Sequence, residues 1–142
     1  MKSYTYRLLC LTAFASIVLS LPASGHHSIA MYDYTIDISV SGVVTEFEWR
    51  NPHCWLHVMI EDESGTSAVW TFEGNSTGQL ARVGWSSDVV QPGDEVTVII
   101  HPLRDGTRGG AIAALERADG RVFRAGGAPV DPIYGREGAP SP

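Results

Sequence analysis

The sequence predicts an all-β fold, a small five-stranded Greek-key barrel with one short helix. Most of the chain consists of short apolar or alternating segments separated by turns rich in Gly, Pro, Asn and Asp. These segments come in the order of three strands, a short helix and two strands. That order is typical of the oligonucleotide/oligosaccharide-binding (OB) barrel, in which the loops after the first and fourth strands form a common binding pole. A two-sheet β-sandwich is the alternative, since strand count alone does not fix closure.

The five predicted strands are bounded by turn residues. They span 36–49, 53–62, 67–73, 95–101 and 111–117. Gly42 interrupts the first strand, as expected of a long bent strand, and Arg50-Asn51-Pro52 then turns the chain. A hairpin at Asp119-Gly120 adds 122–123 as a further edge.

The second strand has the clearest alternation of the five. Its two faces carry His53, Trp55, His57 and Met59 on one side and Cys54, Leu56, Val58 and Ile60 on the other. We expect the second set in the core because it is the more apolar.

A short helix is predicted between the third and fourth strands. Asn75-Ser76-Thr77 offers N-cap residues for a helix through 79–82, and Gly84 ends it.

The first 25 residues have the three parts of a secretory signal. Lys2 and Arg7 supply positive charge, residues 8–21 are apolar but too short to span a bilayer as a helix, and residues 21–25 contain the small residues that a signal peptidase requires. Cleavage after Gly25 exposes His26, and cleavage after Ala23 exposes Ser24-Gly25-His26. We therefore expect a periplasmic or secreted protein that does not span the membrane after cleavage.

The chain divides into three predicted parts. They are a removed signal peptide, residues 1–25; an OB-like barrel domain, residues 26–125; and a flexible Gly/Pro-rich tail, residues 126–142. The barrel is small enough to have one modest core.

Charge and cysteine content argue against nucleic-acid binding and against stabilisation by an intrachain disulfide. Loss of Lys2 and Arg7 with the signal leaves 8 basic and 16 acidic residues, a net charge of −8. An acidic surface makes nucleic acid an unsuitable partner. Because Cys54 alone remains after cleavage, no intrachain disulfide can form, and stability must come from packing.

Several motifs, in order along the chain, resemble a family of small exported bacterial proteins, the domain-of-unknown-function family 6152 (DUF6152). The motifs are His26-His27-Ser28-Ile29-Ala30-Met31-Tyr32-Asp33, Gly42-Val43-Val44, Phe47-Glu48-Trp49-Arg50-Asn51-Pro52-His53, Gly84-Trp85, Pro92-Gly93-Asp94 and His101-Pro102. The resemblance covers nearly all of the mature chain and implies export and a small β-rich domain. Gly25 stands where relatives usually have an alanine cleavage site, and the Pro-rich tail lies outside the pattern.

Four histidines form the predicted metal site: His26, His27, His53 and His101. In the barrel, His53 opens the second strand and His101 closes the fourth, so both should lie at the binding pole, towards which the segment from His26 to Asp33 can fold back. A free terminal amine with imidazole nitrogens is a donor set best suited to copper, with zinc as the alternative. The competing interpretations are a polar flank after the cleavage site for His26-His27, a cap on the Asn-Pro turn for His53, and a simple strand end for His101-Pro102.

Trp55 and Asp33 are the predicted ligand-binding residues beside these histidines. Trp55 shares a strand face with His53, and Asp33 is a candidate oxygen ligand or a hydrogen-bonding partner of a histidine. His57 is a poor ligand for the same ion because it lies about 13 Å along the strand from His53.

Two functions follow from these residues. The first is a periplasmic or secreted metal-binding protein, with copper as the expected cofactor, that acts in delivery, storage or sensing. The second is a metal-free binding module that uses Trp55 and the barrel pole to hold a small ligand or a partner protein. An enzymatic function is the weakest hypothesis, since the sequence contains no G-x-S-x-G, H-E-x-x-H or phosphate-binding glycine motif.

Overall fold

A computed structural model describes residues 29–126 of the chain. The predicted signal peptide, the pair His26-His27 and residues 127–142 of the predicted tail lie outside the described residues. The described chain has a 3-10 turn, six strands and one helix. In order these are the turn Ile29–Met31, β1 (Ile38–Glu48), β2 (Trp55–Glu61), β3 (Ser67–Glu73), the helix α1 (Thr77–Arg82), β4 (Glu95–Pro102), β5 (Gly109–Arg117) and β6 (Val122–Arg124).

The strands close into a five-stranded barrel. β1 pairs antiparallel with both β2 and β4, β2 pairs with β3, and β4 pairs with β5. A parallel pairing of β3 with β5 completes the circuit, and β6 adds to the edge of β5. The predicted all-β OB-like barrel, with one short helix between the third and fourth strands, is therefore confirmed in preference to the β-sandwich.

β1 is long because its first half pairs with β4 and its second half pairs with β2. Residues 38–43 pair with β4 and residues 43–48 pair with β2, with a register shift between Val44 and Glu46. The predicted interruption at Gly42 is wrong, since the strand continues through it. A Cβ at Gly42 would lie 2.3 Å from the Met59 carbonyl oxygen, so the glycine permits close approach of β2.

Two further glycines allow the barrel to close. A Cβ at Gly109 would lie 2.6 Å from the Thr71 carbonyl oxygen, and one at Gly110 would lie 2.5 Å from the His101 carbonyl oxygen. β5 begins at Gly109, two residues earlier than predicted, because this stretch pairs with β3 and β4 at once. β2 begins at Trp55, so His53 lies in the preceding loop and does not open the strand.

The core follows the alternation predicted for β2. Cys54, Leu56 and Val58 have no exposed surface, whereas Met59 on the opposite face is 38% exposed. The predicted helix is confirmed. Ser76 and Gln79 form a capping box at its start, and Leu80 is fully buried in the barrel core.

Aromatic side chains belong to the same core cluster as Leu80. Trp85 is buried and its Nε1 donates to the Arg124 carbonyl oxygen at 2.8 Å. Phe72 is the largest fully buried side chain. Within residues 29–126, no helix is both long and apolar enough to cross a membrane.

Candidate functional site

A row of outward-facing residues crosses four strands of the barrel. Leu56, Phe72 and Ile100 point into the core, so their chain neighbours Trp55, Glu73 and His101 lie on the outer surface. Trp55 is opposite Glu73, Glu73 is opposite Ala111, and Ala111 is opposite His101. We call Trp55, Glu73, Ala111 and His101 the outer row. Two strand spacings separate Glu73 from His101, which corresponds to about 10 Å between their backbones.

Residues 29–37, which we call the leader, lie against the end of β4 beside the outer row. Tyr32 forms an isolated antiparallel bridge with Leu103. The Asp33 N–H donates to the Pro102 carbonyl oxygen at 2.8 Å, and the Arg104 N–H donates to the Met31 carbonyl oxygen at 2.9 Å. These backbone bonds fix where the leader meets the barrel.

Glu73 joins the leader to His53. The hydroxyl of Tyr32, a residue only 7% exposed, donates to Glu73 Oε2. Glu73 Oε1 lies 3.0 Å from His53 Nδ1, and the Gly74 carbonyl oxygen lies 3.3 Å from the same nitrogen. Burial, followed by the bond to Glu73, raises the pKa of Tyr32 and keeps its hydroxyl a donor.

These contacts determine the tautomer of His53. A carboxylate and a carbonyl oxygen only accept hydrogen bonds, so His53 Nδ1 carries the hydrogen. In the neutral ring the lone pair is therefore on Nε2, the nitrogen farther from the backbone.

His101 has the same arrangement on β4. Its Nδ1 lies 2.8 Å from Asp37 Oδ1 and 3.4 Å from the Ile36 carbonyl oxygen, which again places the hydrogen on Nδ1. The ring centroid of Tyr34 is 4.7 Å from that of His101 and 6.1 Å from that of Tyr32. A continuous set of contacts thus runs from His53 through Glu73, Tyr32 and Tyr34 to His101.

His57 differs from the other two described histidines. Its Nε2 lies 2.9 Å from Glu48 Oε1, and its Nδ1 lies 3.0 Å from the Thr71 hydroxyl. Because Glu48 can only accept, Nε2 carries the hydrogen and Nδ1 accepts from Thr71. Glu48 is bonded in turn to Arg50 Nη2 at 2.8 Å. Both ring nitrogens of His57 are therefore engaged in hydrogen bonds.

The structure places two of the predicted site histidines on one side of the barrel, with other side chains between them. His53 and His101 lie on the same side of the barrel, each bonded to its own carboxylate and linked to the other through Glu73 and two tyrosines. Trp55 lies in the outer row directly opposite Glu73. Among residues 29–126, no group of three or more His, Cys, Asp or Glu side chains is arranged to hold a metal ion. His26 and His27 are outside the described residues.

Asp33 has a local role in the structure. Its Oδ1 accepts from the Thr35 backbone N–H at 3.1 Å and from the Thr35 hydroxyl at 2.6 Å. The hydroxyl bond is the main reason that the pKa of Asp33 is lowered. Arg104 Nη2 lies 3.4 Å from the same oxygen. Asp33 therefore stabilises the turn of the leader through these contacts.

Sequence reasoning missed Glu73, Tyr32 and Asp37. Glu73 is separated from Tyr32 by 41 positions, a pairing that no local pattern indicates. The position of Glu73 beside Trp55 could have been predicted, because the hairpin between the second and third strands pairs these two residues.

Comparison with known proteins gives one match. A family model described as a family of unknown function, DUF6152, matches residues 15–113, which is most of the chain. No curated protein and no solved structure shows a significant match.

Proposed function

The chain belongs to the DUF6152 family, and from its geometry we propose that it is an exported copper-binding protein. The proposed ligands are the terminal amine and imidazoles at His26 and His27, together with His53. His101, predicted as a fourth ligand, is separated from His53 by Glu73, Tyr32 and Tyr34 and is not part of the proposed set. Copper is the proposed metal and zinc the alternative. Delivery, storage and sensing of the ion are the roles that such a site would serve in the periplasm or outside the cell.

The observation that carries this proposal is the set of acceptors at His53 Nδ1, a carboxylate and a backbone carbonyl oxygen, which His101 Nδ1 also has. Histidines that bind metals almost always donate their other ring N–H to a carboxylate or a backbone carbonyl, which fixes the ring orientation and raises ligand basicity. His53 bonds to Glu73 and Gly74 in this way, and His101 bonds to Asp37 and Ile36. In each neutral ring the lone pair is then on Nε2, the kind of donor atom that a metal ion requires.

The attachment of the leader supports the participation of the chain start. His27 is two residues before Ile29, so their Cα atoms are at most about 7.6 Å apart. Five residues after His27, the Tyr32 hydroxyl contacts the carboxylate that holds His53. A mature chain that begins at His26 would therefore have its amine and first imidazoles within reach of this side of the barrel.

The donor set favours copper over other divalent ions. An α-amine and imidazoles supply nitrogen donors, which suit the tetragonal geometry of Cu(II). Cys54 is fully buried, and burial raises its thiol pKa, so a thiolate is not part of the proposed set.

The experiment requires protein exported through its own signal, because a leftover methionine or tag would convert the amine into an amide. Mass spectrometry first identifies the mature terminal residue, and Cu(II) and Zn(II) are then titrated into the metal-free protein. We expect His53→Ala to weaken Cu(II) binding by tenfold or more, with His57→Ala as the matched control that leaves it unchanged. A mature terminus downstream of His27, or equal affinities for the wild type and His53→Ala, would refute the copper function.

A metal-free binding module is the second candidate, and the position of Trp55 favours it. Trp55 is half-buried on the outer face of β2, with Glu48 directly opposite on β1 and Glu73 directly opposite on β3. An aromatic ring between two hydrogen-bond acceptors can hold a small ligand, and OB barrels use the face formed by their second and third strands for binding.

This alternative is tested on metal-free protein. Native mass spectrometry of the exported form should detect a bound small molecule that Trp55→Ala loses and Met59→Ala, a change on the same strand face, retains. A spectrum of the unliganded mass alone, together with Cu(II) binding that depends on His53, would reject the module in favour of the copper site.

A further inference from the structure

We infer that Glu73 and Tyr32 are positioning residues of the proposed copper site, and that they couple metal binding to attachment of the leader. The inference rests on the proposed function. Glu73 orients the His53 ring through Nδ1, and Tyr32 makes that orientation depend on the leader being in place.

Glu73 is suited to hold a ring in one orientation. Its side chain is only 10% exposed, whereas that of His53 is 37% exposed. Each carboxylate oxygen has its own donor, since Oε1 accepts from His53 and Oε2 accepts from Tyr32. A carboxylate held at both oxygens has little freedom to turn, so the imidazole bonded to it is held as well.

Tyr32 connects this carboxylate to the leader. The ring is buried, and the backbone on either side of it is bonded to the barrel through Met31 and Asp33. Detachment of the leader would remove the hydroxyl from Glu73 Oε2 and release one of the two restraints on the carboxylate.

Coupling of this kind is reciprocal. If docking of the leader improves the placement of His53 for copper, then copper at His53 must stabilise the docked leader by the same factor. The attached leader and the occupied site thus support each other.

The molecule contains its own control for this inference. Glu48 and His57 form a second carboxylate–imidazole contact at 2.9 Å on the same outer face. No tyrosine of the leader contacts Glu48 among the hydrogen bonds of residues 29–126, and Glu48 bonds instead to Arg50. Glu48→Gln therefore removes a carboxylate of similar setting that has no link to the leader.

The experiment compares Glu73→Gln, Tyr32→Phe and Glu48→Gln in the exported protein, with Cu(II) as the probe. Titration should show tenfold to 100-fold weaker binding in Glu73→Gln, a smaller loss in Tyr32→Phe and no change in Glu48→Gln. Hydrogen exchange should show that Cu(II) slows exchange of the Asp33 and Arg104 amides in the wild type. Tyr32→Phe should lose most of that slowing, because it retains the ring but lacks the hydroxyl.

The outcomes separate this inference from the function on which it rests. If His53→Ala abolishes binding while Glu73→Gln binds as tightly as Glu48→Gln, the copper function stands and the positioning role is overturned. If Cu(II) leaves the exchange of both amides unchanged, the coupling through Tyr32 is overturned. If His53→Ala binds normally, the copper function itself fails. Should Glu73→Gln not fold, as judged by circular dichroism, Tyr32→Phe carries the test alone.

Discussion

Two histidine–carboxylate pairs lie on the outer face of the same sheet, and they differ in the nitrogen that the carboxylate contacts. Glu73 bonds to Nδ1 of His53 at 3.0 Å, whereas Glu48 bonds to Nε2 of His57 at 2.9 Å. The residue types and contact lengths are nearly the same. The first arrangement leaves the lone pair on the outer nitrogen, and the second turns that lone pair inwards to Thr71.

The difference arises from strand pairing. Thr71 is directly opposite His57, so its hydroxyl reaches Nδ1, the nitrogen nearer the backbone, and Glu48 is left to reach Nε2. His53 precedes β2, and its Nδ1 bonds to Glu73 and the Gly74 carbonyl oxygen. The lesson is that the capacity of a histidine to bind metal depends on which of its nitrogens the fold already uses.

The largest expected effect comes from a substitution in the core beneath β3, the strand that contributes Thr71 to one pair and Glu73 to the other. Phe72 is fully buried between Thr71 and Glu73 in the chain, so Phe72→Ala should lower the free energy of unfolding by about 3–5 kcal/mol. Urea denaturation measures the change. Val69→Ala, at a position 47% exposed on the same strand, is the control and should cost less than about 0.5 kcal/mol. Similar costs for the two variants would contradict the packing described for β3.

The second prediction separates the two pairs by stability. His57→Ala leaves the Thr71 hydroxyl and Glu48 without the imidazole in a partly buried setting, and should cost about 1–2 kcal/mol. His53→Ala should cost less, because that ring is more exposed and Glu73 keeps its bond to Tyr32. Urea denaturation of both metal-free variants tests this, and the reverse order would mean that the two pairs have been assigned the wrong roles.

The third prediction concerns alkaline pH and the tyrosine that only the His53 pair possesses. Burial and Glu73 raise the pKa of Tyr32 above the unfolded value of about 10. Its contribution to stability is therefore complete below that pH and is lost as pH rises towards the folded pKa. Between pH 9 and 11.5, the free energy of unfolding should fall more steeply for the wild type than for Tyr32→Phe. Parallel curves would show that the hydroxyl is not buried against the carboxylate.

The last prediction needs no substitution and concerns the tautomers of His53 and His57 in the wild-type protein. Long-range ¹H–¹⁵N spectra of the metal-free protein at neutral or higher pH should report a protonated Nδ1 for His53 and a protonated Nε2 for His57. His101 should match His53. Matching patterns for His53 and His57 would remove the distinction on which the proposed site depends.

Much of the barrel could be predicted from the sequence because its determinants are local. The alternation in residues 53–60 fixes the buried face of β2, and the cap at Ser76 starts the helix where it was expected. The limits of β5 could not be predicted in the same way. Gly109 joins the strand because it pairs with Thr71, a contact that exists only after the barrel has closed.

The candidate site was less predictable than the fold for the same reason. His53 and His101 were predicted as ligands because imidazole is a recognisable metal ligand wherever it occurs in a sequence. Their carboxylate partners were not predicted, since in the sequence a strand carboxylate such as Glu73 cannot be distinguished from a solvated side chain until its neighbours are known. The predicted role of Asp33 beside a histidine stays a prediction, and in the structure its contacts are with Thr35 and Arg104.

The hairpin between β2 and β3 is a suitable place for inserting a tag or fluorophore for the binding experiments. Asp62 closes the turn by accepting from the backbone N–H groups of Ser64 and Thr66, and Gly65 at its tip has a φ of 82° and no atom close to its missing side chain. The seven residues of β2, with a rise of about 3.3 Å each, lie between His53 and Asp62. A purification tag or fluorophore inserted at this tip would be remote from the outer row and would leave the α-amine chemically native.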